Sequence, residues 1–299
     1  MKNKPSVIRA AALLGTGLLG WTAAAQTNAP TTTSLPAIEV RAAPLQETQA
    51  VGPYVQPEWT TQRRFPTTRV YLQQTPGEQG VEGWWRGTWY KDGTSQHRYE
   101  AEYEVGLPGR MQLDLYHAWA TDKEHVTKAE YFSAELRYAL ADWGKIPLNP
   151  TLYGEAKYVW DGPNVLEGKL LLGDQLGARI HWGVNFVWEE ETGGEREREL
   201  AISQAASYTL IDQRLSFGYE WSYYATSVAG DRANPEKSLI IGPSVQWRPT
   251  ANTHLDLVPM FGVTEDAPRM RSFLVFGFDF GPGHAPAPQH VEPTSLRGR

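Results

Sequence analysis

The residues of this chain best suited to chemistry are charged side chains that alternate with apolar ones. In three segments an acid precedes a base by two positions: Glu135/Arg137, Glu155/Lys157 and Glu167/Lys169. A spacing of two residues places both side chains on one face of a β-strand. Adjacent antiparallel strands would bring such pairs into cross-strand contact. The chemistry that this pattern predicts is ion pairing in a shared polar interior.

The same face of successive strand-like segments carries many of the other charged residues. The side chains that we predict to line this interior are Arg86, Glu100, Glu102, Glu104, Asp114, Glu135, Arg137, Glu155, Lys157, Glu167, Lys169, Arg179, His181, Glu199, Glu220, Arg248 and Asp256. One interpretation is structural, with ion pairs filling a narrow interior because charge cannot face lipid. The other is a polar path in which the excess acid at Glu100, Glu102 and Glu104 favours cations. The two are compatible, and we favour the structural interpretation for most of these residues.

No constellation of residues predicts an enzyme. The chain has no cysteine, which excludes disulfides and cysteine-ligated metals, and it has no P-loop, GxGxxG or HExxH motif. His117 falls on the outward face without the serine partner that a barrel phospholipase needs. Nothing in the spacing of His181, His254 and Asp256 fixes them together as metal ligands. We therefore expect no catalytic residue, no metal and no cofactor.

The elements that position the charges are predicted from a two-residue alternation between about Gly83 and Phe280. In the last such segment Leu274, Phe276 and Phe278 share one face. Aromatic residues cluster near both ends of these segments, as in the interfacial belts of membrane barrels. The pattern predicts an all-β protein, an antiparallel up-and-down transmembrane β-barrel of about 12 strands. The predicted strands are 82–91, 96–106, 110–121, 129–141, 150–160, 165–173, 178–189, 197–210, 214–226, 237–248, 253–263 and 271–280.

The connections between these strands alternate in character. Tight turns near Pro108, Asp174 and Asp212 lie between longer or more charged loops. Short periplasmic turns alternate with longer outer loops in bacterial barrels. An even strand number then places both termini in the periplasm, and it places loops 190–195 and 227–237 on the cell surface.

The rest of the chain is predicted to form three flanking parts. Residues 1–25 have a basic start, a short apolar stretch and an A-x-A site, which is the pattern of a cleaved signal peptide. Residues 26–80 are rich in Thr, Ala and Pro, and we expect a mostly disordered periplasmic extension. Within it, residues 35–42 resemble the energy-coupling box of TonB-dependent receptors, although a plain linker is the favoured interpretation. The barrel is predicted over 81–281 and a disordered tail over 282–299.

Composition indicates the kind of partner. The chain has 28 Lys and Arg against 34 Asp and Glu, a formal net charge of −6, and an acidic chain is a poor ligand for nucleic acid. After the signal peptide there is no apolar run long enough for a membrane helix. The expected location is the outer membrane of a Gram-negative envelope. The expected partners are outer-membrane lipid, the outer-membrane assembly machinery and a small-molecule solute.

Three segments resemble a known family. Residues 102–115 (EYEVGLPGRMQLDL), 241–249 followed by 255–257, and 276–280 are similar to hairpins and to the closing strand of transporter-like outer-membrane barrels. These barrels are grouped with the meta-pathway phenol-degradation proteins. The resemblance spans about 95–281. It implies an outer-membrane barrel that moves small solutes, including hydrophobic or aromatic ones, and it carries over no site residues because these are hairpin patterns.

Two functions are consistent with the sequence. The first is a pore or facilitator for small solutes. The second is a non-conducting structural or binding barrel whose lumen is closed by its charge ladders. Whether the lumen is continuous or plugged would separate them.

Overall fold

The computed structural model describes residues 44–62, 64–121 and 126–282. Two short paired strands come first, β1 (Ala50–Val51) and β2 (Gln56–Pro57), with the 3-10 helices Gln46–Thr48 and Glu58–Thr61. The twelve long strands are β3 (Gln79–Trp89), β4 (Ser95–Leu107), β5 (Met111–Thr121), β6 (Thr127–Ala139), β7 (Thr151–Val159), β8 (Val165–Leu176), β9 (Ile180–Glu191), β10 (Arg198–Ile211), β11 (Leu215–Ser227), β12 (Glu236–Thr250), β13 (Thr253–Gly262) and β14 (Met270–Phe280). No helix in the described residues is long and apolar enough to cross a membrane.

The twelve long strands form one closed antiparallel barrel. Each strand from β3 to β14 pairs with its neighbours in sequence, and β14 pairs with β3, where Phe273 lies opposite Arg86. Closure leaves no edge strand with unpaired backbone groups. The predicted fold class and strand number are therefore confirmed. The predicted bounds lie within three residues of the observed ones, the largest difference being at the end of β8 and the start of β3.

The two faces of the barrel wall differ sharply in polarity. On β6, Leu136 is 45% exposed, whereas Glu135 and Arg137 on either side of it are no more than 1% exposed. Apolar side chains outside and buried charges inside are the reverse of a soluble protein and the arrangement of a membrane barrel. The period of two fixes the register, because a slip of one residue would exchange the faces.

The two ends of the barrel differ in their connections. The short-turn end carries the connections 108–110, 140–150, 177–179, 212–214 and 251–252. The long-loop end carries the described connections 90–94, 160–164, 192–197, 228–235 and 263–269. Apart from 140–150, the connections of the short-turn end are two or three residues long, which is the length that tight hairpins require.

Residues 44–62 and 64–78, which we call the inner segment, lie inside the barrel. The Arg69 backbone N–H donates to Asn185 Oδ1 on β9 at 2.7 Å, and the Gln73 N–H donates to Gln112 Oε1 on β5 at 2.7 Å. Because Asn185 and Gln112 belong to well-separated strands of the wall, the inner segment crosses the lumen.

Both ends of the inner segment lie at the short-turn end. The Gln46 N–H donates to Asp212 Oδ2 at 2.7 Å, in the connection between β10 and β11. The Gly77 N–H donates to the Gly106 carbonyl at 3.0 Å, beside the connection between β4 and β5. The segment therefore enters the lumen and leaves it at the same end.

This ordered segment differs from the mostly disordered extension predicted for 26–80. Its composition is polar and rich in Pro, which is typical of disorder when a segment is considered alone. Its order depends instead on the polar inner wall, which supplies hydrogen-bond partners to its buried side chains. The predicted signal peptide (1–25), the box at 35–42 and the tail from 283 onward lie outside the described residues.

The outward face provides a direct test of membrane insertion. Phe186 lies in the middle of β9 and is 46% exposed. Phe186→Arg should lower the free energy of unfolding in lipid vesicles by about 2–4 kcal/mol relative to Phe186→Ala, because the cation would face the bilayer midplane. Urea titration of the two folded variants measures the difference. Equal stability of the two variants would contradict a lipid-facing position.

Candidate functional site

The lumen contains a continuous row of carboxylates, which we call the acidic row. Each member lies directly opposite the next in the strand register: Glu104, Asp114, Glu135, Glu155, Glu167, Glu189 and Glu199, one on each strand from β4 to β10. Barrel strands tilt, so direct partners on successive strands climb along the barrel. The row runs from near the short-turn end to the long-loop end. Six of the seven acids were predicted from the sequence to line the interior. Glu189 was not predicted, although it continues the inward alternation of β9.

Like charges directly opposite one another are destabilising, and three bases offset this repulsion. Arg137 pairs with Asp114 at 2.7 Å and also with Glu135. Lys157 Nζ lies 2.6 Å from Glu189, 3.0 Å from Glu167 and 3.9 Å from Glu155, and Lys169 Nζ lies 2.8 Å from Glu167. The three acid–base pairs identified in the sequence thus come together. Arg137 and Lys157 also contact acids outside their own pairs, and Lys169 shares Glu167 with Lys157.

Tyrosine hydroxyls complete the coordination of the acids. Tyr153 donates to Glu155 at 2.7 Å, Tyr116 donates to Glu135, and Tyr131 donates to Glu100 at 2.8 Å. These tyrosines are not among the site residues predicted from the sequence. Each lies an even number of residues from an inward acid on its own strand, so its inward position could have been predicted from the alternation.

A second group of carboxylates lies at the short-turn end. Glu82, Glu102 and Glu104 are buried, and one oxygen of each lies within 4.8 Å of the others. The side-chain amide of Gln73 donates to Glu82 at 2.9 Å and to Glu104 at 2.8 Å, and Trp84 Nε1 donates to Glu102 at 2.8 Å. Donors from the inner segment and the wall therefore occupy this cluster.

His254 connects this cluster to β13 and β14. Its Nδ1 lies 2.6 Å from Asp256 Oδ2, and its Nε2 lies 3.2 Å from Glu82 Oε1. The ring lies against Gly277, where an added β-carbon would be 1.9 Å from Nε2. A residue larger than glycine at 277 would displace the imidazole.

The inner segment also packs closely against the wall. Gly173 and Gly183 are direct partners on β8 and β9, and an added β-carbon at either would lie 2.5 Å from a methyl group of Val70. Trp59 is fully buried and stacks on His181 with ring centroids 4.5 Å apart. The wall is thus shaped to fit this segment.

Polar contacts hold other parts of the inner segment. Glu47 pairs with Arg64 at 2.8 Å, and both side chains contact Thr209 of β10. The Tyr71 hydroxyl donates to the Ala141 carbonyl at 2.8 Å, and burial together with the nearby charge of Asp142 raises the pKa of Tyr71 above its ordinary value. The phenol therefore stays protonated and remains a donor.

The remaining predicted lumen residues lie in different places. Glu220 accepts a hydrogen bond from the Thr67 N–H at 2.8 Å inside the lumen, and Arg248 is buried near the short-turn end. Arg179 does not point into the lumen. It precedes β9, donates to a backbone carbonyl and lies over the ring of Tyr208. Arg179 was predicted to line the lumen because the alternation was extended to residue 178. It lies instead in the turn before β9, where the alternation does not hold.

Above the inner segment the lumen opens into a cavity of about 440 Å³, which we call the vestibule. Its floor includes Pro66, Thr67 and Arg69 of the inner segment, and its walls reach Tyr90 and Glu197 near the long loops. Six acids and six bases line it: Glu100, Glu155, Glu167, Glu189, Glu197 and Glu199 against Arg69, Arg86, Arg98, Lys157, Lys169 and Arg271. At the rim, burial and the neighbouring Glu191 raise the pKa of Glu197.

The ion pairs of the acidic row predict a stability effect. Arg137→Leu should lower the free energy of unfolding by about 3–5 kcal/mol, because it leaves Asp114 and Glu135 buried without this counter-charge. Denaturant titration in detergent micelles measures the loss. The control is the triple variant Asp114→Asn/Glu135→Gln/Arg137→Leu, which should recover most of the stability. An Arg137→Leu variant as stable as the parent would show that the pair carries no such energy.

One solved structure agrees with the architecture, and two others are reported beside it. No curated protein matches the chain. A solved outer membrane channel from Pseudomonas putida F1 is 10% identical, and the similarity covers 70% of this chain and 97% of that one with a TM-score of 0.50. The NanC porin is 10% identical over 68% and 98% of the two chains with a TM-score of 0.47. The KdgM porin in complex with disordered oligogalacturonate is 8% identical over 67% and 99%, also at 0.47.

A family model supports the resemblance noted in the sequence. The model described as putative MetA-pathway of phenol degradation matches residues 155–274, from β7 into β14. These residues include the predicted penultimate hairpin and four of the seven members of the acidic row. The resemblance is thereby confirmed: the chain is a twelve-stranded barrel similar over these residues to the family described as putative MetA-pathway of phenol degradation.

Proposed function

We propose that this protein is an outer-membrane channel for small solutes in which the inner segment controls passage. The observation that carries the proposal is the division of the lumen into two halves. One half is a polar vestibule of about 440 Å³ at the long-loop end. The other half is filled by the inner segment, which belongs to the same chain as the wall.

The proposed location and orientation follow from the barrel surface. The apolar outer face is the contact with outer-membrane lipid, and the closing strand β14 is the segment presented to the assembly machinery. The long loops, including 192–197 and 228–235, are placed on the cell surface and the short turns in the periplasm. The inner segment then enters from the periplasm, which suits export behind a cleaved signal peptide at 1–25.

The contacts of the inner segment suit a movable element rather than a permanent core. Many are hydrogen bonds and ion pairs between side chains of the segment and of the wall, such as Gln73 with Glu104 and Arg69 with Glu102. A typical hydrogen bond contributes only about 0.5–1.5 kcal/mol net, because water replaces the lost partner. The polar wall would remain solvated if the segment withdrew. Its apolar contacts, around Trp59 and Leu72, are small clusters.

The lining of the vestibule bears on the solute class. Its walls combine equal numbers of acids and bases with several tyrosines, and the volume admits small molecules only. Such a surface favours solutes that carry a polar or charged group. A purely hydrophobic solute, which the family resemblance also suggested, would leave these groups without partners.

Deletion of the inner segment tests the proposal. Removal of residues 44–74 should raise single-channel conductance in planar bilayers severalfold over the intact chain, because the short-turn half of the lumen would fill with water. A heat-modifiable shift on unboiled gels checks that the variant is a closed barrel. A folded deletion variant that conducts no more than the parent would refute the proposed role of the segment.

A matched pair of point variants tests the same role without deletion. Gly183→Val places a side chain against Val70 and should loosen the inner segment, which would increase the frequency of open events. Gly154→Val, where an added β-carbon meets nothing within 4 Å, is the control. Identical conductance records from both variants would argue against control by this contact.

A further inference from the structure

Three arginines of the vestibule have their guanidinium groups over aromatic rings. Arg69 of the inner segment lies 5.2 Å from the Trp84 ring centroid, Arg86 lies 5.2 Å from Phe273, and Arg271 lies 5.5 Å from Tyr224. A guanidinium held over a ring face is attracted by the ring and is restrained in orientation. Its N–H groups lie in its own plane, so they remain available to an acceptor.

Two of these arginines have unused donors. Among the described residues, neither Arg86 nor Arg271 donates a hydrogen bond, and the Nε atom of each is without an acceptor. The nearest acid to Arg86 is Glu100, at 3.7 Å, beyond hydrogen-bond distance. The Arg86 side chain is 31% exposed. Guanidinium groups normally bind carboxylates through two parallel hydrogen bonds, so these two are incompletely satisfied.

The fold places the two arginines side by side. Arg271 on β14 lies opposite Thr88 on β3, and Arg86 is two residues from Thr88 on the same face. Diagonal neighbours of this kind are within reach of long side chains. Both line the vestibule at the long-loop end, where a solute from outside would arrive.

Arg98 provides an internal contrast. It lines the same vestibule, yet its Nε donates to Glu130 at 2.6 Å and one Nη donates to the second oxygen of that carboxylate. Its donors are therefore occupied by the protein. The difference between Arg98 and the pair Arg86/Arg271 is one of available hydrogen bonds, and not of charge or location.

We propose that Arg86 and Arg271 form a binding site for a small organic monocarboxylate. The proposal rests on the channel function above, because the bound anion would be the solute. A carboxylate would accept the donors that the protein leaves unused. A single negative charge suits a vestibule with equal numbers of acids and bases. A dianion would be repelled by Glu100 and by Glu199 of the acidic row.

Isothermal titration calorimetry of the intact chain in detergent tests this site. Benzoate should bind with 1:1 stoichiometry, while its neutral isostere benzamide and the dianion sulfate should bind at least tenfold more weakly. Comparable binding of benzamide would show that charge is not recognised. Comparable binding of sulfate would overturn the assignment to a monocarboxylate, and no binding of benzoate would overturn the site.

Charge-matched variants make the assignment specific. Arg86→Gln and Arg271→Gln should each weaken benzoate binding about tenfold or more, because each removes a charged hydrogen-bond donor. Arg98→Gln removes the same charge from the same vestibule and should leave affinity within threefold of the parent. Equal losses of benzoate affinity in all three variants would indicate a general electrostatic attraction instead of a specific site. The heat-modifiable gel shift confirms that each variant is folded.

The outcome is separable from that of the channel proposal. Benzoate binding by the intact chain, with no conductance from the deletion variant, would refute the channel and leave the site. Conductance from the deletion variant, without benzoate binding by the intact chain, would refute the site alone.

Discussion

A carboxylate in the wall of a membrane barrel must find its partners inside the barrel. The hydrocarbon of the lipid contains no hydrogen-bond donor or counter-charge for a carboxylate. Leaving the carboxylate in hydrocarbon, or unpaired in a narrow lumen, costs several kcal/mol. In this protein the constraint is severe because seven strands in succession each carry an inward acid in direct register. Over the middle of the wall, Arg137, Lys157 and Lys169 supply counter-charges to these acids, and Tyr116 and Tyr153 donate hydrogen bonds to two of them. The rest of the lumen is organised by the same requirement.

At the short-turn end the inner segment supplies hydrogen-bond donors to buried acids of the wall. Gln73 and Gln74 donate to Glu104, and nearer the middle of the barrel Thr67 donates to Glu220. At the long-loop end no such segment lies among the residues that the structure describes. There the vestibule stays open, and Arg86 and Arg271 face a cavity without hydrogen-bonded partners among the described residues. The unequal distribution of partners thus divides one lumen into a filled half and an open half.

Much of the wall could be predicted from the sequence because the period of two is a local property. The strand bounds, the outward position of Leu136 and the contacts of Lys157 with Glu167 follow from alternation and antiparallel pairing. The inner segment could not be predicted in this way. Its polar, Pro-rich composition is typical of disorder, and its partners are distant in sequence, as with Arg69 and Asn185. Side-chain positions in turns could not be predicted from the alternation either, since Arg179 departs from it just before β9 begins.

The most direct test of this account asks whether the inner segment occupies the lumen. Thr68 Oγ1 lies 3.1 Å from Ser203 Oγ on β10, and the chain contains no cysteine. The double variant Thr68→Cys/Ser203→Cys should therefore form a disulfide in the assembled barrel under mild oxidation. Its conductance should be low when oxidised and should return to that of the parent on reduction. Two cysteines that stay unlinked, and that both react with a maleimide added to the folded barrel, would contradict the placement of the segment.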